Sequence, residues 1–337
     1  MLKFLVFADL HYSKSLMAVT VDHLDEILKR AADEKVDFVF HLGDFCTDYF
    51  ESPEIVKAYK NNKWGLPVYG VYGNHEMEGG VLNTMELITP TLCNRDVNFG
   101  KTGEPYYYTD IKNFRLIALD TNYSFNPNTN EWEHNIPGSY GARAGNNPVA
   151  TVHPEQMQWL KNLLEDAKQR GMKVLVLSHH TMIKDWYDYP NNADEVRTLI
   201  ECYSGTVLMA INGDLHTDHF EIRNNVAYYD VNVALWADWI TDSEAPYPYP
   251  EDATFEYSEF DKDGNFIKKY QKPYNSLQRK SLYHKEPLSA IVTVSEDGNI
   301  EITGSETEYL YGIQPNREKN GVKPYIPNRK AKIDVNF

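Results

Sequence analysis

Apolar positions along the chain fall in short runs that stop abruptly at polar residues. Residues 2–8 are apolar except Lys3 and stop at Asp9-Leu10-His11, the pattern of a buried strand running into a polar loop. Residues 36–42 repeat it before Gly43-Asp44, and residues 67–72 repeat it before Gly73-Asn74-His75. Between the first two runs, Val21, Leu24, Ile27, Leu28 and Ala31 recur at helical spacing and offer one face to a core. Ser52-Pro53-Glu54 predicts a helix start, with serine as cap and proline in the first turn. Three rounds of strand, polar loop and helix predict an α/β layered core.

Residues 106–108 and 115–119 read as a hairpin-like pair of strands ending at Asp120-Thr121-Asn122. Residues 123–150, rich in Asn, Pro and Gly, read as a long loop of the kind that carries function. A helix is predicted from Pro154 to about Arg170, with Met157, Leu160, Leu163, Leu164 and Ala167 on one side. Strands 172–177 and 207–211 follow, ending at Ser178-His179-His180 and at Asn212-Gly213-Asp214-Leu215-His216. Beyond a proline-rich connector at 245–250, two hairpins are signalled: 255–260 with 266–270, and 288–294 with 300–303. Their strands either extend the main sheet or form a small appendage, and the last thirty or so residues read as a wrapping tail.

With 337 residues, 42% hydrophobic and 24% charged, the chain has the profile of a globular protein with a substantial core. Its 33 basic and 49 acidic residues give a formal charge of −16, which opposes binding to duplex nucleic acid. The basic runs Lys268–Lys272 and Arg329–Lys332 are short and read as solvated edges. Cys46, Cys93 and Cys202 are too widely spaced for a zinc pattern or a disulfide framework, which fits a reducing compartment. The apolar N-terminus is broken at Asp9, too early for a signal peptide, and no stretch has membrane-span length. The expectation is a cytoplasmic protein with no membrane partner; nothing fixes an oligomeric state.

The informative polar residues are Asp9, His11, Asp44, Asn74, His75, His179, Asp214 and His216, each just beyond an apolar strand. In layered α/β proteins such strand ends converge on one crevice. Carboxylate oxygen, amide oxygen and imidazole nitrogen suit divalent Mn, Fe, Zn or Co, and no thiolate cluster selects a softer ion.

The series Asp9-Leu10-His11, Gly43-Asp44, Gly73-Asn74-His75-Glu76, His179 and Gly213-Asp214-Leu215-His216 resembles the calcineurin-like metallophosphoesterase superfamily. The resemblance spans roughly residues 4–220. It implies a four-layer αββα sandwich of two mixed sheets flanked by helices, with the C-terminal β hairpins as an addition. It also implies two divalent metal ions, and the change of character at the proline-rich connector divides the chain into a catalytic domain over 1–245 and a β extension and tail over 246–337. By position, Asp9, His11 and His216 would hold one ion, Asn74 and His179 the other, and Asp44 would bridge them. His75 would lie beside the scissile phosphate. The implied activity is hydrolysis of a phosphate ester, with a small phosphodiester, nucleotide or phosphorylated metabolite as the preferred range.

One position departs from the family pattern Gly-His-x-His: Asp214 stands where the first histidine is usual. Asp214 can supply an oxygen to the second ion, contact it through water or not reach it, and His219 is a substitute ligand or a neighbour. This departure is the one motive for the alternative, a binding or scaffold protein that retains the fold with little catalysis. His180 is the alternative to His179. His41, three residues before Asp44, could hydrogen-bond near the site, and Asn122 lines the pocket or caps a loop. Trp186, with Tyr187, Tyr189, Trp236 and Trp239, could stack on a substrate or pack the loops together.

Overall fold

A computed structural model describes residues 1–13, 19–47, 52–77, 93–126, 128–134, 150–183, 189–237, 249–260, 265–276, 282–313 and 323–337. From the N-terminus come β1 (Leu2–Phe7), the helix Val21–Asp33, β2 (Phe38–His41), the helix Ser52–Lys60, β3 (Val68–Gly70) and the one-turn helix Asn74–Met77. Then follow β4 (Asn98–Phe99), β5 (Tyr107–Ile111), β6 (Phe114–Ala118), β7 (Tyr123–Asn126) and β8 (Glu131–His134). The helix Pro154–Gln169 leads into β9 (Lys173–Leu177), and the helix Ala193–Glu201 into β10 (Val207–Asn212). β11 (His219–Arg223), β12 (Val226–Asp230) and β13 (Trp236–Ala237) come next. The C-terminal part adds β14 (Thr254–Phe260), β15 (Phe266–Pro273), β16 (Leu282–Tyr283), β17 (Ala290–Val294), β18 (Asn299–Thr303) and β19 (Arg329–Lys332).

Two mixed sheets carry the fold. One has the order β19-β18-β17-β1-β2-β3, with β1, β2 and β3 parallel and β17 antiparallel to β1. The other has the order β11-β12-β10-β9-β6-β5-β4, with β6, β9, β10 and β12 parallel. Side chains alternate across the second sheet as strand geometry requires. Leu175 and Leu177 of β9 join the core shared with the first sheet, whereas Val174 and Val176 join a second core under the helices. Leu160, Leu164, Ala167, Val196 and Ile200 close that second core from the helices Pro154–Gln169 and Ala193–Glu201. On the far side, Leu24, Ile27, Leu28 and Ala31 pack the helix Val21–Asp33 on the first sheet. The four-layer sandwich therefore follows from period-2 strands sandwiched between period-3.6 helices.

The C-terminal hairpins take both courses that the sequence leaves open. β17 and β18 extend the main sheet, with Leu2 opposite Val294, while among the described residues β14 and β15 pair only with each other. Arg329–Lys332, read from sequence as a solvated edge inside a tail, is the edge strand β19. Within the long loop predicted at 123–150, Tyr123–Asn126 and Glu131–His134 form a hairpin. A further hairpin, β11 with β12, has no counterpart in the sequence reading; its turn residues Asn224 and Asn225 have φ of 43° and 60°, the left-handed values a tight hairpin turn demands. Among the described residues, no helix is long and apolar enough to cross a membrane.

Candidate metal centre

The C-terminal ends of β1, β2 and β3 in one sheet meet those of β9 and β10 in the other. Their loops continue the strand pairing for a few residues: Asp9 N–H donates to Gly43 O at 3.1 Å and His11 N–H to Asp44 O at 3.0 Å. Asp9, His11, Asp44, Asp214 and His216 have φ of 54°, 51°, 49°, 65° and 52°. Left-handed backbone costs a non-glycine residue roughly 1–2 kcal/mol, and such strain concentrates where function needs a side chain aimed against local preference. Two glycines make room for the turn. A Cβ on Gly73 would come within 2.0 Å of Asp44 Oδ1, and one on Gly43, at φ +93°, within 2.6 Å of both Gly73 N and His179 Nδ1.

The side chains converge closely. His11 Nε2 lies 3.2 Å from His216 Nε2, and His216 Nε2 lies 3.6 Å from Asp9 Oδ1. On the other side, His179 Nε2 lies 3.1 Å from Asn74 Oδ1 and 3.4 Å from both Asp44 Oδ1 and Asp214 Oδ1. Asp44 stands between: its Oδ2 is 3.9 Å from His11 Nε2 and 3.8 Å from His75 Nε2. Among the described residues, four groups have ligand atoms within 4.8 Å of one another: Asp9-His11-His216, His11-Asp44-His75, His179-His180-Asp214 and Asp9-Asp44-His179.

The proton inventory favours a cation here. His179 Nδ1 must donate to Leu42 O, at 2.7 Å, because a carbonyl only accepts. That leaves the neutral ring's Nε2 lone pair aimed at three oxygens of Asn74, Asp44 and Asp214. Asp9 Oδ1 is buried and finds no hydrogen-bond partner among the described residues. Electron-pair donors facing one another in this way fit divalent ions. Without an ion, the conflict appears as shifted acidities. Burial works to lower the His179 pKa, but Asp44 and Asp214 override it and hold it well above the ordinary histidine value. Burial works to raise that of Asp44, but His179, His75 and His11 keep it well below the carboxylate range. Burial raises Asp9 despite His216, and burial together with His75 holds His11 well below its usual value.

The remaining sequence candidates take distinct places. His41 lies beneath the site, stacked on Phe45 at 4.3 Å, with Nδ1 accepting the Gly43 N–H; burial and His179 push its pKa down to about 3. Asn122 is buried and donates to Tyr72 O and Asp120 Oδ1, bracing the strand end that precedes Gly73. His180 Nδ1 is 2.6 Å from Thr121 Oγ1. His219 pairs with Asp230 at 3.2 Å and belongs to none of the four groups, whereas Asp214 does. Trp186, Tyr187 and Trp239 lie outside the described residues. The Trp236 ring packs nearly perpendicular to that of His11, with centroids 4.5 Å apart.

Glu76 was quoted in the motif but given no part. It is buried and accepts backbone N–H groups from Asp44 (3.0 Å), Phe45 (2.7 Å), Cys46 (3.1 Å) and Gly73 (2.7 Å). Its position directly after Asn74-His75 was a signal, since a carboxylate beside a strand end is either solvated or tied to backbone donors.

Two mixed sheets packed face to face, with clustered Asp and His at one edge, define a metal-dependent hydrolase. The chain belongs to the calcineurin-like phosphoesterase family, whose profile matches residues 2–218. It is 24% identical over 268 residues to the manganese-dependent ADP-ribose/CDP-alcohol diphosphatase of Arabidopsis thaliana, a match covering 68% of this chain and 83% of that protein. The crystal structure of a dimetal phosphatase from Danio rerio superposes with a TM-score of 0.57 at 14% identity, covering 99% of each chain, a likeness of fold alone.

Proposed function

We propose that the protein hydrolyses a small phosphate ester, with a phosphodiester, nucleotide or phosphorylated metabolite as substrate, at a centre of two divalent ions. Asp9, His11 and His216 would hold one ion, Asn74, His179 and Asp214 would hold the other, and Asp44 would span both. The observation that carries this reading is the split environment of Asp44: one carboxylate oxygen faces His179, the other His11 and His75. The manganese dependence and diphosphatase activity named for the Arabidopsis relative support the metal class and a substrate with a phosphoanhydride or diester link.

Two bound divalent ions supply Lewis acidity and a water of lowered pKa. The chain's own residues supply the rest. His75 Nδ1–H donates to Thr47 O at 2.6 Å, which fixes the ring and turns Nε2 toward the centre. From there a protonated Nε2 delivers its proton to the departing oxygen. The His75 backbone N–H donates to Asp44 Oδ1 at 3.0 Å, so the carboxylate that spans the ions also anchors the loop carrying the acid.

The test compares two variants on metal content and on turnover of aryl mono- and diesters with Mn²⁺, Fe²⁺, Zn²⁺ and Co²⁺. Asp44→Ala loses both metal and turnover. His75→Ala retains metal and loses turnover by about 10²–10⁴-fold, the usual range for a general acid. A His75→Ala protein with wild-type rates removes the assigned role. Wild-type protein loaded with two ions but inert toward every ester supports a scaffold instead.

A further inference from the structure

The loop between β10 and β11 carries both Asp214 and His216 in left-handed backbone, at φ 65° and 52°, and so needs something to hold it. Asp218, two residues beyond His216, is gripped by Arg329 of β19. Arg329 Nη1 donates to Oδ1 at 2.9 Å and Nη2 donates to Oδ2, a two-pronged pair in which the Asp218 side chain is only 8% exposed. The guanidinium also lies over the Phe220 ring, 5.9 Å from its centroid. Close by, Asn232, in the segment after β12, donates from Nδ2 to Lys323 O at 2.7 Å and Tyr325 O at 3.3 Å. The Arg329 contacts link the two sheets: β19 pairs with β18 in the first sheet, while β11, which holds Phe220 and directly follows Asp218, belongs to the second. Arg329 and Asp218 are separated by 111 residues of chain.

We propose that Arg329 is a positioning residue for the metal centre: through Asp218 it holds the loop that presents Asp214 and His216, so the C-terminal strand sets the affinity of the centre for its ions. The inference rests on the ligand assignment proposed above. A planar guanidinium holding both carboxylate oxygens fixes rotation as well as distance, which a lysine cannot do. The ligands it steadies are therefore more pre-organised with arginine at this position.

The test uses the full-length chain, stripped of metal and titrated with Mn²⁺ by calorimetry. Arg329→Gln is expected to weaken Mn²⁺ binding about ten-fold, within the range for groups that orient metal ligands, with Arg329→Lys falling between it and wild type. At saturating Mn²⁺, kcat returns to near the wild-type value, since Arg329 touches no reacting atom. Unchanged Mn²⁺ affinity in Arg329→Gln overturns the proposal. So does a loss that merely tracks a lowered melting temperature of the metal-free protein, with lysine no better than glutamine. Should Arg329→Gln not fold, Asp218→Asn carries the same expectations. Wild-type protein that takes up fewer than two ions refutes the dinuclear assignment itself, and the inference falls with it.

Discussion

Glu76 Oε2 accepts the backbone N–H of Asp44 at 3.0 Å, so a buried carboxylate fixes the residue proposed to span the two ions. The same oxygen takes Gly73 N–H, while Oε1 takes Phe45 and Cys46 N–H, which ties the loop after β2 to the loop after β3. Burial and the nearby Asp44 both act to raise the Glu76 pKa, and the Gly73 and Cys46 N–H bonds act against them.

Glu76→Gln turns an amide toward backbone donors and is expected to destabilise the protein by about 3 kcal/mol, the scale of losing charge-assisted bonds and stranding buried donors. Urea denaturation of the metal-free protein measures it. A loss below about 0.5 kcal/mol, the ordinary surface value, would mean that the network does little.

Asp214→His restores the imidazole usual at this position and replaces an oxygen donor with nitrogen beside His179. Protein loaded from an equimolar Zn²⁺ and Mn²⁺ mixture is expected to take up more Zn²⁺ relative to Mn²⁺ than wild type, because imidazole favours zinc while carboxylate suits manganese. Mass spectrometry of the metal content gives the ratio. An unchanged ratio would place Asp214 outside the coordination sphere.

His134 belongs to none of the four metal-capable groups among the described residues and supplies a pH signature of its own. Its Nε2 lies 2.8 Å from Asp120 Oδ2 and 3.5 Å from Glu104 Oε2. Burial acts to lower its pKa, but the Asp120 hydrogen bond and the two carboxylate charges outweigh that and raise it above the usual 6.5. A folded-state pKa above the unfolded one contributes stability that is full below 6.5 and fades as pH rises through the folded value. His134→Asn should therefore lower stability at pH 6 and change it less at pH 9. Equal losses at both, in thermal melts with metal removed, would contradict the charged pairing.

Much of the site was legible because each β strand that reaches it ends in a recognisable polar group. Asp9, His11, Asp44, Asn74, His75, His179, Asp214 and His216 were singled out by reading where an apolar run stops, and the fold brings these eight candidates together. The hairpin of β17 and β18 was equally plain from Glu296-Asp297-Gly298-Asn299. Glu76 was seen without its part because four backbone N–H groups leave no mark in a side-chain pattern. The β11 and β12 hairpin hid behind an Asn-Asn turn in a stretch beyond the last motif that the sequence reading left unassigned.

The sequence alone determined the order of the strands that lead into the site, the chemistry of the donors and the family, since these depend on local periodicity and residue type. Tertiary structure decided that β17 lies against β1, that His219 turns to Asp230 while Asp214 turns to His179, and that Arg329 reaches Asp218. Apart from His219 and Asp230, which face each other across the β11–β12 pair, those relations join residues far apart in the chain. They are set by how two sheets pack and which edges find partners, and periodicity along a single strand carries no information about either.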